Sequence, residues 1–468
     1  MKKNKLRFLA LTMTVCMLAG LAAGCGSNNQ ESKEESVPGQ TEGKSQAAET
    51  AEPNGLADAA AQTEEPEVTI TVLTRYAGSD PQAPWLKKMM DEFVKLHPNV
   101  TFQDDSVADE AAYNNKLKTA IATGNLPNMW MQYGSASLVE YAKNGLLMDL
   151  SFMLEDEKFC SGLTDPTLST FDLSGYGVDG IYAIPFAMQP EVIFYNKDLF
   201  KQAGIDSVPE TMEDLYGAID KLKAAGITPM GMGAKDTWRL GHFFNCVAYR
   251  KAGIDTFKNI GARNAKWTDP EVVDCLTTLK GFKDKGAFEE NFEGIDWSTE
   301  SANFLSGKYA MICIPLWFIP NAEESEIADS LDFFPVPYFS DQESYKDDSA
   351  VYVDAHVYSG KLEGYEKEIT MEWAKFTHDA FSEEVRLKDC GQTPGRTDVN
   401  TEGMEMSPML TKTIELNGDL KKLGGDTFEY DMLNSMQDVT RNALVGMMLG
   451  TSPEDTAAAI QSEIDNNQ

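Results

Sequence analysis

Apolar and polar residues follow two different periods along the first folded part of the chain. Val68–Thr74 is a β-branched run that predicts a strand, and the apolar residues after it recur at helical spacing until His97-Pro98 ends the helix. Val100–Phe102 predicts a second strand. The same order returns with a helix over Ala111–Ala122 and a strand at Met129–Met131. Such β-α-β alternation is typical of a mostly parallel sheet covered by helices.

A pair of short apolar runs marks the centre of the chain. Ile181–Ile184 predicts a strand that Pro185 stops, and Val192–Tyr195 predicts a second buried strand. We expect the segment between them to be a kinked connector, because Pro185 and Pro190 keep it extended and out of a central ladder. Asn196 follows at the position of a helix N-cap. A connector of this kind can join two lobes.

The first 67 residues have a different pattern. Met1–Gly24 has a basic start and an apolar run shorter than the ~20 residues of a membrane-spanning helix, which predicts a signal peptide. Ala-Ala-Gly before Cys25 resembles the bacterial lipoprotein motif, in which the Cys thiol is diacylated. Residues 25–67 are rich in acids and small polar residues and predict a disordered tether. The alternative is an ordinary cleaved signal with an incidental Cys.

Length and charge narrow the possible functions. A chain of 468 residues is too long to fold around one small hydrophobic core, so two lobes are expected. The net charge of −34 argues against nucleic acid as a partner, because nothing would neutralise its phosphates. The seven Cys include no C-x-x-C pair and therefore indicate neither a zinc site nor a disulfide framework. We read those after Cys25 as mostly buried thiols with at most one chance pair, and we predict no metal or cofactor.

Five ordered motifs resemble the family 1 extracellular solute-binding proteins, the maltose-binding-protein-like group. They are Tyr195-Asn-Lys-Asp-Leu-Phe200, Tyr113-x₃-Leu117 with Gly124-Asn-Leu-Pro127, Gly307-Lys-Tyr-Ala-Met311 with Trp317, Phe333-Phe-Pro-Val-Pro337, and Trp373-Ala-Lys-Phe376 with Gln392-Thr-Pro394. The resemblance covers roughly residues 68–468. It implies a type II-like periplasmic-binding-protein fold of class α/β, with two lobes, a mostly parallel sheet flanked by helices in each, and three interlobe crossings.

The Pro-bearing segments locate the expected crossings. They fall near Pro185–Pro190, Phe333–Pro337 and Cys390–Pro394. The expected N-lobe is therefore residues 68–186 plus 338–390. The expected C-lobe is residues 187–337 plus 391–468.

The resemblance also implies the function. It predicts a monomeric extracytoplasmic lipoprotein, anchored to the cell membrane through Cys25, that delivers a carbohydrate, in particular an oligosaccharide, to an ABC permease. A binding protein for a non-sugar solute is the alternative, and a secreted glycoside-acting enzyme is a more distant one. The chain has no G-x-S-x-G or H-E-x-x-H motif, although its 74 acids leave a glycosidase carboxylate pair open.

Sugars present flat apolar ring faces and many hydroxyl groups, so their sites need aromatic rings and planar polar groups. Trp317 lies where the family places a stacking aromatic, and Gln189 where it often has a polar contact. Trp85, Trp130 and Trp373 are instead expected in the core. Carried over position by position, the resemblance gives these candidate ligand contacts: Arg75, Tyr76, Gln132, Tyr133, Ser135, Gln189, Asp236, Trp238, Trp317 and Arg441.

Overall fold

A computed structural model describes residues 65–467, except 79, 135, 164–167, 169–170 and 434. The predicted signal peptide, the lipid-attachment residue Cys25, most of the tether and Ser135 lie outside the described residues. Within the described part of the chain, no helix combines the length and the apolar character that a bilayer crossing requires.

The described chain forms an α/β structure, as predicted. Its strands are β1 (Val68–Leu73), β2 (Val100–Asp104), β3 (Met129–Tyr133), β4 (Ile184–Asn196), β5 (Thr228–Met230), β6 (Tyr309–Pro315), β7 (Leu331–Pro335), β8 (Asp348–Tyr358) and β9 (Lys422–Gly424). Its α-helices are α1 (Ala83–Leu96), α2 (Glu110–Thr123), α3 (Ser137–Lys143), α4 (Glu157–Cys160), α5 (Lys197–Gln202), α6 (Met212–Ala224), α7 (Thr237–Ala252), α8 (Ile254–Gly261), α9 (Pro270–Asp284), α10 (Trp297–Leu305), α11 (Ile319–Glu323), α12 (Gly364–Thr377), α13 (Ala380–Cys390), α14 (Pro408–Asp419), α15 (Ser435–Met448) and α16 (Pro453–Asn466).

The strands run in the order β2-β1-β3-β8-β4-β6-β5, with β7 added to β4 and β9 to β8. The pairs β1–β2, β1–β3 and β5–β6 are parallel, as the β-α-β pattern predicts. The pairs that β4 and β8 make with β3, β6, β7 and each other are antiparallel. The sheet is therefore mixed, because two long strands serve both lobes and run against their neighbours.

Separate apolar cores identify the two lobes. The N-lobe core contains Trp85, Trp130 and Trp373, which are fully buried as predicted. The larger C-lobe core includes Phe244, and a second C-lobe cluster forms around Phe318. Large aromatic residues thus fill the interior of each lobe, which holds the cleft walls in fixed positions.

The prediction of a connector between Pro185 and Pro190 is wrong, because β4 is continuous there. Pro185 lies opposite Ala355 and Pro190 opposite Val351, and the register shifts just after Pro185. Among the described residues, this half of β4 is paired only with β8, so it forms an edge where Pro is tolerated. From Glu191 onward β4 pairs with β6 in the C-lobe. The first crossing is thus a change of partner within one strand.

Packing contacts near the two later crossings extend past the Pro residues that are expected to mark them. Phe339 and Ala350 still belong to the C-lobe core, and Val351 is the next residue in the N-lobe core. The change of core therefore falls inside β8, between Ala350 and Val351. Arg396 donates to the carbonyl of Phe159 in the N-lobe, so contacts with the N-lobe continue beyond Pro394.

Helix caps fix the segments next to the cleft. The Asn196 side chain accepts hydrogen bonds from the backbone N–H groups of Asp198 and Leu199, which confirms the predicted N-cap of α5. The Asp109 side chain caps α2 in the same way, by accepting from Ala112. Both caps hold the chain direction at a strand-to-helix turn.

Candidate functional site

A cavity of about 640 Å³ lies between side chains of the two lobes. Its N-lobe side consists of the loop after β1 and the start of α2. Its C-lobe side consists of α7, the start of α10 and the turn after β6. The crossing strands β4 and β8 form its floor, through Gln189, Glu191 and Tyr352 among others. The volume lies within the range typical of small-molecule sites.

Three tryptophans form an aromatic wall on the C-lobe side. Trp238 opens α7, Trp297 opens α10 and Trp317 follows β6. The ring centroids of Trp238 and Trp297 are 5.7 Å apart, and those of Trp297 and Trp317 are 5.5 Å apart. All three side chains are half-buried and line the cavity. They can therefore offer apolar ring surface to a ligand while they pack on one another.

A buried ion pair supports this wall from behind. The guanidinium of Arg239 donates two hydrogen bonds of 2.9 Å to the Glu300 carboxylate and one of 2.6 Å to the carbonyl of Cys313. Arg239 Cζ lies 5.0 Å from the ring centroid of Trp238 and 5.1 Å from that of Trp297. Burial opposes the charge of Arg239, but Glu300 raises the pKa of the guanidinium above its ordinary value. The ion pair and the two ring contacts therefore fix both rings.

The cavity floor carries buried polar groups with free hydrogen-bonding capacity. The Gln189 amide donates to Gln392 Oε1 at 2.8 Å, while Gln189 Oε1 has no partner among the described residues. Glu191 Oε1 lies 2.6 Å from His242 Nδ1, and Glu191 Oε2 likewise has no partner in the described part of the chain. Unpaired buried acceptors cost free energy, so both atoms favour a donor supplied from the cavity.

The N-lobe side is mainly polar. Arg75 donates to the carbonyl of Ala108 and lies 3.5 Å from the Glu110 carboxylate, so it is tied to the start of α2. Tyr76 is buried, and its ring meets Trp85 edge-on at 5.9 Å. Burial raises the pKa of the Asp80 carboxyl above its ordinary value. This side therefore presents hydrogen-bonding groups opposite the aromatic wall.

A loop after β9 closes the remaining side. Asn245 of α7 accepts hydrogen bonds from the N–H and hydroxyl of Thr427 and so fixes this loop to the C-lobe. Asp426 and Arg441 form an ion pair at 2.5 Å. Burial opposes the charge of Arg441, but Asp426 raises the pKa of its guanidinium. Acidic lining residues outnumber basic ones around the cavity as a whole.

The structure brings most of the predicted contacts together. Those that line the cavity are Arg75, Tyr76, Gln189, Asp236, Trp238, Trp317 and Arg441. Gln132 does not line it, although Met131 before it on β3 does; the Gln132 amide donates to Ser137 Oγ at 2.9 Å. Tyr133 ends the same strand opposite Asp354, and Ser135 is outside the described residues. Ligand contact by all ten remains a prediction.

Sequence reasoning missed several lining residues. His242 and Asn245 follow Trp238 by four and seven positions on α7, so helical spacing alone places them on the same face. No comparable sequence pattern indicates that Trp297 and Glu191 line the cavity. Trp297 lies far from Trp317 in sequence, and the Glu191 position depends on where β4 changes partner.

Comparison with known proteins places the chain among solute receptors. A family profile described as "Bacterial extracellular solute-binding protein" matches residues 77–358. A "Multiple sugar-binding protein" of Streptococcus mutans is 22% identical over 284 residues, which cover 59% of this chain and 64% of that protein. A "Probable sugar-binding periplasmic protein" of Rhizobium meliloti is 27% identical over 209 residues, or 43% of this chain and 47% of that one. Each match spans less than two thirds of the relative.

Solved structures share the fold over almost their whole length. A "Chitin oligosaccharide binding protein" is 25% identical with a TM-score of 0.76, and the match covers 86% of this chain and 98% of that one. "SBP RafE in complex with raffinose" is 19% identical with a TM-score of 0.66, and the match covers 84% of this chain and 98% of that one. These neighbours confirm the two-lobe fold.

The ion pair behind the aromatic wall gives a stability prediction. Glu300→Gln leaves Arg239 buried without a counter-charge and should lower the free energy of unfolding by ~3–5 kcal/mol. Arg239→Met combined with Glu300→Leu removes both charges and should recover most of that loss. Urea unfolding followed by circular dichroism measures both effects.

Asp91→Asn is the control, because it breaks the solvent-exposed pair between Lys87 and Asp91 and should change stability little. If Glu300→Gln costs no more than Asp91→Asn, the buried pair does not hold this wall.

Proposed function

The chain belongs to the bacterial extracellular solute-binding proteins, as its motifs predict, and on that premise we propose that it captures a carbohydrate for an ABC importer. The ligand is an oligosaccharide bound in the cleft between the lobes. The binding protein works outside the cytoplasm and hands the sugar to the importer's transmembrane subunits. Sugar-binding relatives over parts of the chain support this assignment.

One feature of the cleft carries the proposal. An aromatic wall of Trp238, Trp297 and Trp317 faces a floor where acceptor atoms of Gln189 and Glu191 have no partner among the described residues. A pyranose ring has an apolar face that can stack on the wall and hydroxyl groups that can donate to the floor. The acid-rich lining adds further acceptors for hydroxyl donors. A phosphate ligand would instead meet repulsion from these carboxylates.

We also propose that the cleft binds sugar without hydrolysing it. A glycosidase needs two carboxyl groups that flank the bond to be broken and remain available for proton transfer and attack. Glu110 lies beside Arg75, Asp426 is paired with Arg441, and Asp236 accepts a hydrogen bond from the backbone of Trp297 at 2.7 Å. These acids already have structural partners.

A screen of sugars tests the binding proposal. Saturable binding of linear α- or β-linked trisaccharides, measured by thermal shift and calorimetry, is expected without the appearance of hydrolysis products. Spermidine, ferric ion and inorganic phosphate serve as probes of the non-sugar alternative. Binding of one of these probes and of no sugar would overturn the carbohydrate assignment, and products in chromatography would indicate an enzyme.

Trp317→Ala separates a ligand platform from a core residue. Loss of the stacking surface should weaken binding of the sugar found in the screen by roughly tenfold, about 1.4 kcal/mol, with little change in Tm. Calorimetry and thermal unfolding on the same preparation measure both quantities.

Phe381→Ala is the matched control, because Phe381 is an exposed aromatic residue outside the cavity lining. A collapsed Tm with unchanged affinity for Trp317→Ala would remove Trp317 from the site.

Closure of the lobes around the sugar is the next expected property. We propose an N-lobe of residues 68–186 plus 338–390 and a C-lobe of 187–337 plus 391–468. The first two boundaries are then moved to the residues where β4 changes its partner strand and where β8 changes from one core to the other. Because few segments join the lobes, ligand should close them by a hinge motion. Small-angle scattering should show a smaller radius of gyration at ligand saturation. An unchanged radius would contradict the hinge while leaving the fold intact.

Attachment to the membrane rests on the sequence around Cys25. We propose that Cys25 is diacylated after removal of residues 1–24 and that the acidic tether holds the binding lobes away from the membrane surface. The full chain produced in a bacterial host should partition into the detergent phase, whereas Cys25→Ser should not. Equal partitioning of both forms into the aqueous phase would rule out the anchor.

A further inference from the structure

Four polar side chains meet beneath the cavity floor where β4, β6 and α7 pack together. Cys246 Sγ and Cys313 Sγ are 3.7 Å apart, and a carboxylate oxygen of Glu191 lies within 4.8 Å of both. His242 Nδ1 lies 2.6 Å from Glu191 Oε1. All four side chains are more than nine-tenths buried. Nothing in the proposed sugar site uses the two thiols.

The sequence positions these groups through simple local rules. Glu191 lies opposite Pro315 and Ile193 opposite Cys313, so Glu191 and Cys313 are diagonal neighbours on one face of the sheet. His242 and Cys246 are four residues apart on α7 and therefore share a helix face. Packing of α7 on this face brings the two pairs together.

We propose that Cys246, Cys313 and Glu191 form a binding site for a zinc ion beneath the floor of the cleft. Two thiolates bound tetrahedrally to zinc at about 2.3 Å lie roughly 3.8 Å apart, close to the observed separation of the two sulfurs. Thiolate ligands select zinc or cuprous ion, and the carboxylate favours zinc of these two. Glu191 Oε2, which has no partner among the described residues, supplies an oxygen ligand through one lone pair and keeps the other for a hydroxyl donor from the cleft.

His242 has the role of a positioning residue at this site. Its close contact with Glu191 Oε1, at 2.6 Å, restricts the position of the carboxylate, as neighbours of metal ligands commonly do. Three protein ligands leave one position of a tetrahedral ion for water. On binding, the S–H bond of each Cys breaks, an S–Zn bond forms, and the two protons pass to solvent.

Zinc titration of the untagged full chain tests the site. The protein is purified in detergent, reduced, freed of metal with a chelator and titrated with zinc chloride in the absence of sugar. Calorimetry and elemental analysis should show one ion per chain. Cobalt(II), used as a spectroscopic probe, should give the near-ultraviolet charge-transfer band of a metal bound by thiolates.

Substitutions assign the ligands. Cys246→Ala or Cys313→Ala should reduce the cobalt band by about half and weaken zinc binding by more than about 100-fold, whereas His242→Gln should weaken it by about 10- to 100-fold. Cys275→Ala is the matched control, because Cys275 is an equally buried thiol on α9 and lies outside the cluster. Circular dichroism confirms that each variant is folded. If a Cys variant does not fold, Glu191→Gln and the cobalt spectrum of the native chain provide the same test.

Three results would overturn the proposal. The first is the absence of stoichiometric zinc binding by the reduced protein. The second is zinc binding that the Cys246 and Cys313 substitutions do not affect. The third is a disulfide between these residues in the purified protein, found by peptide mass spectrometry, which would make the pair a covalent link instead. Each measurement is made without sugar and is independent of the function proposed above.

Discussion

Arg239 is a fully buried cation, and its charge has to be balanced inside the C-lobe. Removing a cation from water costs several kcal/mol, which a well-placed counter-charge and hydrogen bonds have to offset. Glu300 supplies the charge and the carbonyl of Cys313 accepts a further hydrogen bond. Because Trp238 and Trp297 pack against the same guanidinium, the pair sets the positions of α7, β6 and α10 together. The aromatic wall and the thiol cluster both depend on that arrangement.

Several strands and helices and the three core tryptophans of the N-lobe were predictable from the sequence. The β-branched runs, the helical spacing and the Asn196 cap each correspond to an observed element, because local periodicity and capping decide those features. Pro185 and Pro190 misled the prediction, because a Pro excludes a central strand but not an edge strand. The first half of β4 is an edge because β8 is the strand it pairs with among the described residues, and no local sequence pattern shows that pairing.

The candidate site also contains residues that the sequence predicts and residues that only the folded structure reveals. Trp317 and Gln189 follow from motif order, whereas Trp297 and Glu191 face the same cavity only because distant strands and helices pack together. Gln132 ends a strand as expected, yet its amide turns toward Ser137. Cys246 and Cys313 are 67 residues apart, so a search for metal-ligand spacing does not detect them. Chemistry that arises between sheet and helix is visible only in three dimensions.

The place of β8 in the sheet also has a consequence for biosynthesis. This strand lies between β3 and β4, although it follows β3 by about 200 residues in the chain. During translation the N-lobe therefore has to wait, with unpaired strand edges, until most of the C-lobe has been made. Such long-range pairing slows folding.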